Sequence, residues 1–276
     1  MSAHPYFGIS AAFATKHLKE EIVAPIFNSM GIKVVAANVD TDLLGTFSGE
    51  IPRVGTPKEV VLKKASLGIA ESGLLYGLAS EGSIGPDALM PLLIADIECM
   101  IWVDKIKNIE IFEFYRSLEI VAARTTVTKK DSLSEFLRKA DFPNHSLIAK
   151  SENGKIYKGI NTFERLEVVM NELLVESEKL ILESDLRAHH SPSRRKNIAA
   201  VAEKLATRLH CLCPQCLTPG WGDIGYLHGL NCLECGYLES RAVRGKIFGC
   251  AACDYKKEQL NEKMFIGPAE CSVCNP

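Results

Sequence analysis

Two stretches of this chain carry residue types that do chemistry. The first runs from Asp40 to Gly85 and holds Asp40, Asp42, Glu50, Arg53, Glu59, Lys64, Glu81 and Ser83 among glycines and hydroxyl residues. A connecting loop needs polar turn residues, but not this many carboxylates with two basic side chains. The stretch reads as the rim of a site for a metal ion and a phosphorylated ligand. Carboxylates combined with substrate phosphates and retained waters suit Mg2+. The second stretch is the C-terminal series Cys213-Pro-Gln-Cys216, Cys232-Leu-Glu-Cys235, Cys250-Ala-Ala-Cys253 and Cys271-Ser-Val-Cys274. Four such pairs predict two structural zinc sites, each held by four thiolates. Sequential pairing leaves intervals of 15 residues (217–231) and 17 residues (254–270), the range of a zinc ribbon. Cross-braced pairing is the alternative.

Two basic turns complete the candidate set. Thr15, Lys16 and His17 stand where a helix should begin, and free N–H groups there favour an anion. The plainer reading makes Thr15 an N-cap and Lys16 a solvated side chain. Further on come Arg187, His189, His190, Arg194, Arg195 and Lys196, just before and inside the first turn of another expected helix. Cations oppose the positive end of a helix dipole unless an anion sits there too. Arg187, with Arg194 or Arg195, therefore reads as a phosphate clamp. The alternative is a solvated basic turn in which Asp185 pairs with Arg187.

These groups need a scaffold. Residues 6–15 read as a buried strand and 16–30 as a helix with Ile22, Val23, Ile26, Phe27 and Met30 on one face. Gly31 suits the helix end, and 32–37 reads as a second strand. Strand–helix–strand predicts an α/β domain. Thr56-Pro57-Lys58-Glu59 is a capping box opening a helix to about Ser72, which gives Glu59 a structural job. A strand over 74–79 would leave Glu81 at its carboxyl end, where α/β sheets bind ligands. Strands are expected at 97–103, in 111–127 with a turn near Ser117, and around the turn Asn153-Gly154. Ser132 to Glu135 repeats the capping-box pattern, Thr162 caps a helix, and a short strand follows at 180–183. Ser191 or Ser193 would cap the helix after the second basic turn.

Composition excludes several classes. The 47% hydrophobic and 24% charged fractions are those of a soluble globular protein. A net charge of −2 leaves no basic excess for general nucleic-acid or anionic-membrane binding. After residue 210 six Lys or Arg meet seven Asp or Glu, and two zinc tetrathiolates would add about four negative charges. No apolar run approaches the roughly 18 residues of a membrane span, and residues 1–15 lack a basic n-region. Cysteine pairs of this spacing imply a reducing compartment, so a cytoplasmic location is expected. Cys99 should be buried, and Trp221, Tyr226 and Leu230 should pack the module against the main domain.

The N-terminal region resembles the inosine/xanthosine triphosphatase superfamily, with its Maf/ITPase-like fold. Ala14-Thr15-Lys16-His17-x-Lys19 looks like that family's phosphate-binding turn. Glu59-x-x-x-x-Lys64-Ala65 looks like its central helix, and Ala79-Ser80-Glu81-Gly82-Ser83 falls where it has an acidic motif. Residues 187–198 stand in for its late basic motif. The opening asparagine, the usual Asp-Asp pair and the late Ser-His-Arg triplet are absent. The whole chain also looks like an uncharacterised bacterial domain family carrying cysteine pairs.

The resulting expectation is an α/β domain, a mixed sheet flanked by helices, over 1–209, and a four-cysteine zinc-ribbon-like module, doubled, over 210–276. The resemblance implies Mg2+-assisted hydrolysis of a nucleoside triphosphate between its α and β phosphates. Glu81 would hold the metal, and Glu59, Asp40, Asp42 or Glu50 would complete the shell or activate water. Lys16, Lys64 and Arg187 would offset phosphate charge. A non-catalytic nucleotide-sensing adaptor, whose zinc module docks a protein, is the second reading, and a nucleic-acid-binding protein the third. A homodimer is compatible with either of the first two. The spatial expectation is that Glu81 and Arg187 face each other across one cleft.

Overall fold

A computed structural model describes residues 4–15, 18–40 and 55–276. The chain divides into two compact units: one formed by Tyr6–Ile106 with Phe112–Ala206, the other chiefly by Thr207–Pro276 with Lys107–Ile111. No helix among the described residues is long and apolar enough to cross a membrane.

The larger unit is α/β with two sheets. Its first sheet has the order β2-β1-β3-β4-β5, built from β1 (Ser10–Ala14), β2 (Lys33–Ala37), β3 (Tyr76–Pro86), β4 (Ile94–Asp104) and β5 (Ile109–Ser117). β1 runs parallel to both β2 and β3, and β3 pairs antiparallel with β4 over its whole length. The helices α1 (Glu20–Asn28) and α2 (Pro57–Ser72) make the crossovers. β1 is short and small-chained, and α2 lies close upon it. A Cβ on Gly68 would come within 3.1 Å of Ala14 Cβ. That close approach sets Lys64, one turn earlier, against β3.

Strand alternation sorts the two faces of this sheet. Ala79, Cys99, Ile101 and Val103 meet Val61 and Ala65 of α2. On the other face Trp102 packs on Tyr6 and stacks with Phe27 of α1. β3 pairs with β1 over Gly77 to Ala79, and residues 80–86 run on past β1 paired to β4.

The second sheet has the order β6-β9-β7-β8: β6 (Arg124–Val127), β7 (Leu147–Ser151), β8 (Ile156–Ile160) and β9 (Leu180–Ser184). The short helix α3 (Ser134–Lys139) corrects the second capping-box reading. Its N-cap is Leu133, with no side-chain cap, and Glu135 instead pairs with Lys139. The helix α4 (Phe163–Glu176) covers the sheet with Leu166, Val169, Leu173 and Leu174. Thr162 caps α4 by accepting from Arg165 N–H at 3.1 Å, as expected. The helix α5 (Pro192–His210) closes the unit.

The smaller unit is a sheet of order β12-β11-β10-β13, from β10 (Gly222–Cys232), β11 (Leu238–Gly249), β12 (Lys256–Leu260) and β13 (Phe265–Ile266). Trp221 stacks on Phe248 and Tyr255, and Leu230 joins Cys232, Ile266 and Cys271 in a small core. These contacts lie inside the module, and Tyr226 is exposed.

Candidate functional site

The cysteines form two four-thiol groups among the described residues: Cys213, Cys216, Cys250 and Cys253, and Cys232, Cys235, Cys271 and Cys274. The first pair joins the third and the second joins the fourth, so the pairing is cross-braced and not sequential. The sulfurs stand 3.8 Å apart in Cys213–Cys253, 3.5 Å in Cys216–Cys250, 3.9 Å in Cys232–Cys274 and 3.7 Å in Cys235–Cys271. A disulfide needs about 2 Å. Four sulfurs on a tetrahedron about 2.3 Å from a central zinc lie roughly 3.8 Å apart. The thiols therefore fit zinc and could bind two ions. The pairs share a local turn. The N–H groups of Cys213, Cys232 and Cys250 each donate to the carbonyl five residues on, of Thr218, Tyr237 and Tyr255. Cys99 and Cys211 stand outside both groups, and Cys99 is buried as expected.

The acidic stretch is arranged differently from its expected rim. Glu81 lies in the middle of β3, not at the end of a strand over 74–79. It is buried and bonded to Lys64 Nζ at 2.5 Å on the α2 face. Glu59 is spent on its capping box, accepting from Thr56 N–H at 2.7 Å and Thr56 Oγ1 at 3.0 Å, which holds its carboxyl below the usual range. Asp40 and Ser83 are exposed and Thr15 is half-buried. Lys16, His17, Asp42, Glu50 and Arg53 lie outside the described residues. Among those described, only cysteines gather in groups able to hold a metal.

Each arginine of the second basic turn meets a carboxylate. Arg187 clasps Asp185 through Nε (2.9 Å) and a terminal nitrogen (2.6 Å), and Gly159 N–H donates to the same carboxylate at 3.0 Å. Burial pushes the Asp185 carboxyl up, but the Arg187 contacts outweigh it and hold it below the usual range. Arg195 lies 3.7 Å from Glu21. Arg194 is fully buried, with Nε 2.6 Å from Glu98 and a second nitrogen donating to the Leu186 carbonyl at 2.7 Å. The helix start is met by an imidazole: Ser193 N–H donates to His145 Nε2 at 3.1 Å, and His145 Nδ1 faces Asp141 at 2.8 Å. The dipole argument for a bound anion at this turn loses its premise.

Arg187 lines a cavity of about 330 Å³ with Ile84, Ile94, Ala123, Ile148 and Leu186. Glu81 is not in that lining, and strand alternation turns it to the face opposite Ile84. The expected Glu81–Arg187 cleft does not form.

What does assemble is a buried polar interior where β1 ends. Lys19, Lys64, Ser80, Glu81, Asp96, Glu98, Arg194 and Asn197 are all buried. On the α1 face Lys19 Nζ donates to Ser80 Oγ at 3.1 Å, Arg194 pairs with Glu98, and Asn197 Nδ2 donates to Asp96 Oδ2 at 2.8 Å. Gly82 makes room for this. A Cβ there would lie 2.3 Å from Glu98 Oε1 and 2.7 Å from an Arg194 nitrogen. Burial, and after it the Arg194 guanidinium, bring the Lys19 amine down to about 8. Burial and the Glu98 carboxylate push the Asp96 carboxyl up to about 7. From the sequence Lys19 stands only within a motif, Asp96 and Glu98 only bracket a strand, and Asn197 only follows the second basic turn, none of them with a site role. Charged residues inside the apolar run 97–103 and its flank were the available sign.

A family model described as a domain of unknown function, DUF6671, matches residues 64–276. No curated protein matches the chain, and no solved structure does.

Proposed function

We propose a reading for the α/β unit of this chain, which belongs to the DUF6671 family: it binds a nucleoside triphosphate and hydrolyses it with a divalent metal ion. One observation carries the reading. Lys19, Lys64 and Arg194 bring three buried cations together where β1 ends, the carboxyl end of the sheet's parallel strands, where α/β proteins take ligands. Such an interior offsets phosphate charge as it shifts in the transition state. The substrate class, a purine nucleotide cut between its α and β phosphates, comes from the resemblance to inosine/xanthosine triphosphatases. Mg2+ would arrive on the substrate phosphates and supply Lewis-acid stabilisation. Lys64, held in place by Glu81, would meet the phosphates from the α2 face, and Lys19 and Arg194 from the other.

The second reading is a nucleotide-sensing adaptor without turnover. The observation favouring it is that the described carboxylates form no group able to hold Mg2+. The two are separated by incubating the full chain with Mg2+ and a panel of purine triphosphates. Pyrophosphate release that is lost in Lys64→Met and Glu81→Gln supports the hydrolase. Thermal stabilisation by nucleotide with no release supports the adaptor, and neither effect defeats both.

A further inference from the structure

The cavity of about 330 Å³ that Arg187 lines is not used by the proposed hydrolysis. It lies inside the α/β unit and is bounded by both of that unit's sheets. Ile84 of β3 and Ile94 of β4 wall it from the first sheet, and Arg124, Ile148 and Glu183 floor it from the second. That floor is a cross-strand row. Arg124 pairs with Glu183, and Glu183 with Ile148, across β6, β9 and β7, and residues so paired share a face. Leu147, Ala149 and Leu182 alternate to the opposite face and join the core with α4. The space equals roughly eleven waters at about 30 Å³ each, at the small end of the range for organic ligands.

Hydrogen-bond donors are left over around this space. A guanidinium carries five N–H donors. Asp185 occupies one edge of Arg187, accepting from Nε at 2.9 Å and from a terminal nitrogen at 2.6 Å. The other edge, with the second terminal nitrogen, has no partner among the described residues. The Arg187 and Gly159 N–H groups also donate to Asp185, at 3.2 Å and 3.0 Å, so its two oxygens are engaged and hold the arginine in place. Ser184, 5% exposed, accepts from Ala123 N–H at 3.0 Å, and no acceptor among the described residues takes its own proton. Glu183 is shared. One oxygen meets Lys150 at 2.6 Å and the other stands 3.7 Å from Arg124, beyond hydrogen-bond length.

We infer that this cavity binds a small organic acid, its carboxylate on the open edge of Arg187 and its apolar body against Ile84, Ile94 and Ile148. A planar carboxylate matches the guanidinium fork. Arg187 already shares its charge with Asp185, which suits a singly charged group better than a phosphate dianion. Arg124 adds positive charge from the floor. The helix dipole plays no part, and the site is independent of the nucleotide reading.

The test titrates hexanoate into the full chain labelled with nitrogen-15 and follows backbone amides by NMR. Hexanamide supplies the same body without charge, acetate the charge without the body, and inorganic phosphate a different anion. Hexanoate is expected to shift the amides of Gly85, Ser184 and Leu186 saturably. It should bind at least about tenfold more tightly than hexanamide or acetate. Arg187→Gln should abolish the preference for the acid over the amide. Since that change also leaves Asp185 without its partner, Ile94→Trp serves as the second variant. It fills the cavity from a position 40% exposed, and should weaken hexanoate about tenfold. Undiminished binding in Ile94→Trp, equal affinity for acid and amide, or shifts centred elsewhere overturns the inference. So does phosphate binding there more tightly than hexanoate, or no saturable shift at millimolar hexanoate. Nucleotide turnover, present or absent, bears on the proposed function alone.

Discussion

The cysteine module and the buried interior of the α/β unit both gather charge-bearing side chains, but they do so in opposite ways. In the module, four short turns, three of them of one design, each present two thiols, and the long hairpin of β10 and β11 only has to bring the turns together. In the α/β unit, single residues from β3, β4, α2, α5 and the approach to α1 meet with no shared motif. Chemistry written as a local repeat survives rearrangement of its neighbours. Chemistry assembled from distant single residues depends on every packing contact that aligns them.

The largest expected effect tests the module's half of this contrast. Removing metal with a chelator should unfold the module, since structural zinc supplies on the order of 10 kcal/mol to small thiolate sites. Cross-bracing makes a sharper demand on zinc content. Cys216→Ser should drop the count from two ions to one. Adding Cys250→Ser should change nothing more, because that cysteine shares the site. Adding Cys232→Ser instead should empty both. The reverse pattern in metal analysis would restore sequential pairing.

Next in size is the ion pair within the α/β interior. Arg194→Met should cost about 3–5 kcal/mol in urea unfolding, because Glu98 stays buried without its partner. Arg194→Met with Glu98→Gln should recover part of that loss. A loss below about 1 kcal/mol would mean the arginine is solvated.

A smaller effect is expected from Lys19. Its folded-state amine, at about 8, lies below the ordinary lysine value of 10.5, so between those values the unfolded chain holds more protons. Stability should therefore rise with pH across that window, by on the order of 3 kcal/mol. Asp96 acts in the other direction at lower pH. Its folded carboxyl holds a proton up to about 7 against an ordinary 3.8, so stability should fall as pH rises between those values. The α/β unit should be least stable near pH 7 to 8. Lys19→Met should flatten the alkaline limb of the melting-temperature profile, and an unchanged limb would count against its burial.

The smallest effect returns to the module. Gly236 follows Cys235 with a φ of 72° and has open space where a Cβ would stand. Gly236→Ala should cost only about 1–2 kcal/mol of backbone strain, read as a modest rise in zinc release rate. Gly82→Ala in the α/β unit should cost more, because there the Cβ has no room.

Much of the scaffold was legible in the chain itself. The opening strand–helix–strand, the Thr56 and Thr162 caps, the Asn153-Gly154 turn and the eight zinc-fitting cysteines follow from spacings of a few residues. Such features need only local hydrogen bonds and the periodicity of side chains. The Glu81 position was misread because β3 continues past Ala79 as a ribbon with β4, and only pairing with a second strand extends it. The ion pairs of the arginines were not legible because their carboxylate partners, apart from Asp185, lie far along the chain. Arg194 meets Glu98 across 96 positions, and Asn197 meets Asp96 across 101.

By itself, then, the sequence determined which thiols stand together in turns and which segments are helix or strand. Tertiary structure alone decided which turn joins which, and which charges are buried against one another. The reason is physical. A local motif encodes its own geometry through short-range bonds, whereas the upward shift of the Asp96 carboxyl and the pairing of Arg194 are set by water being excluded around them, which no stretch of chain achieves on its own.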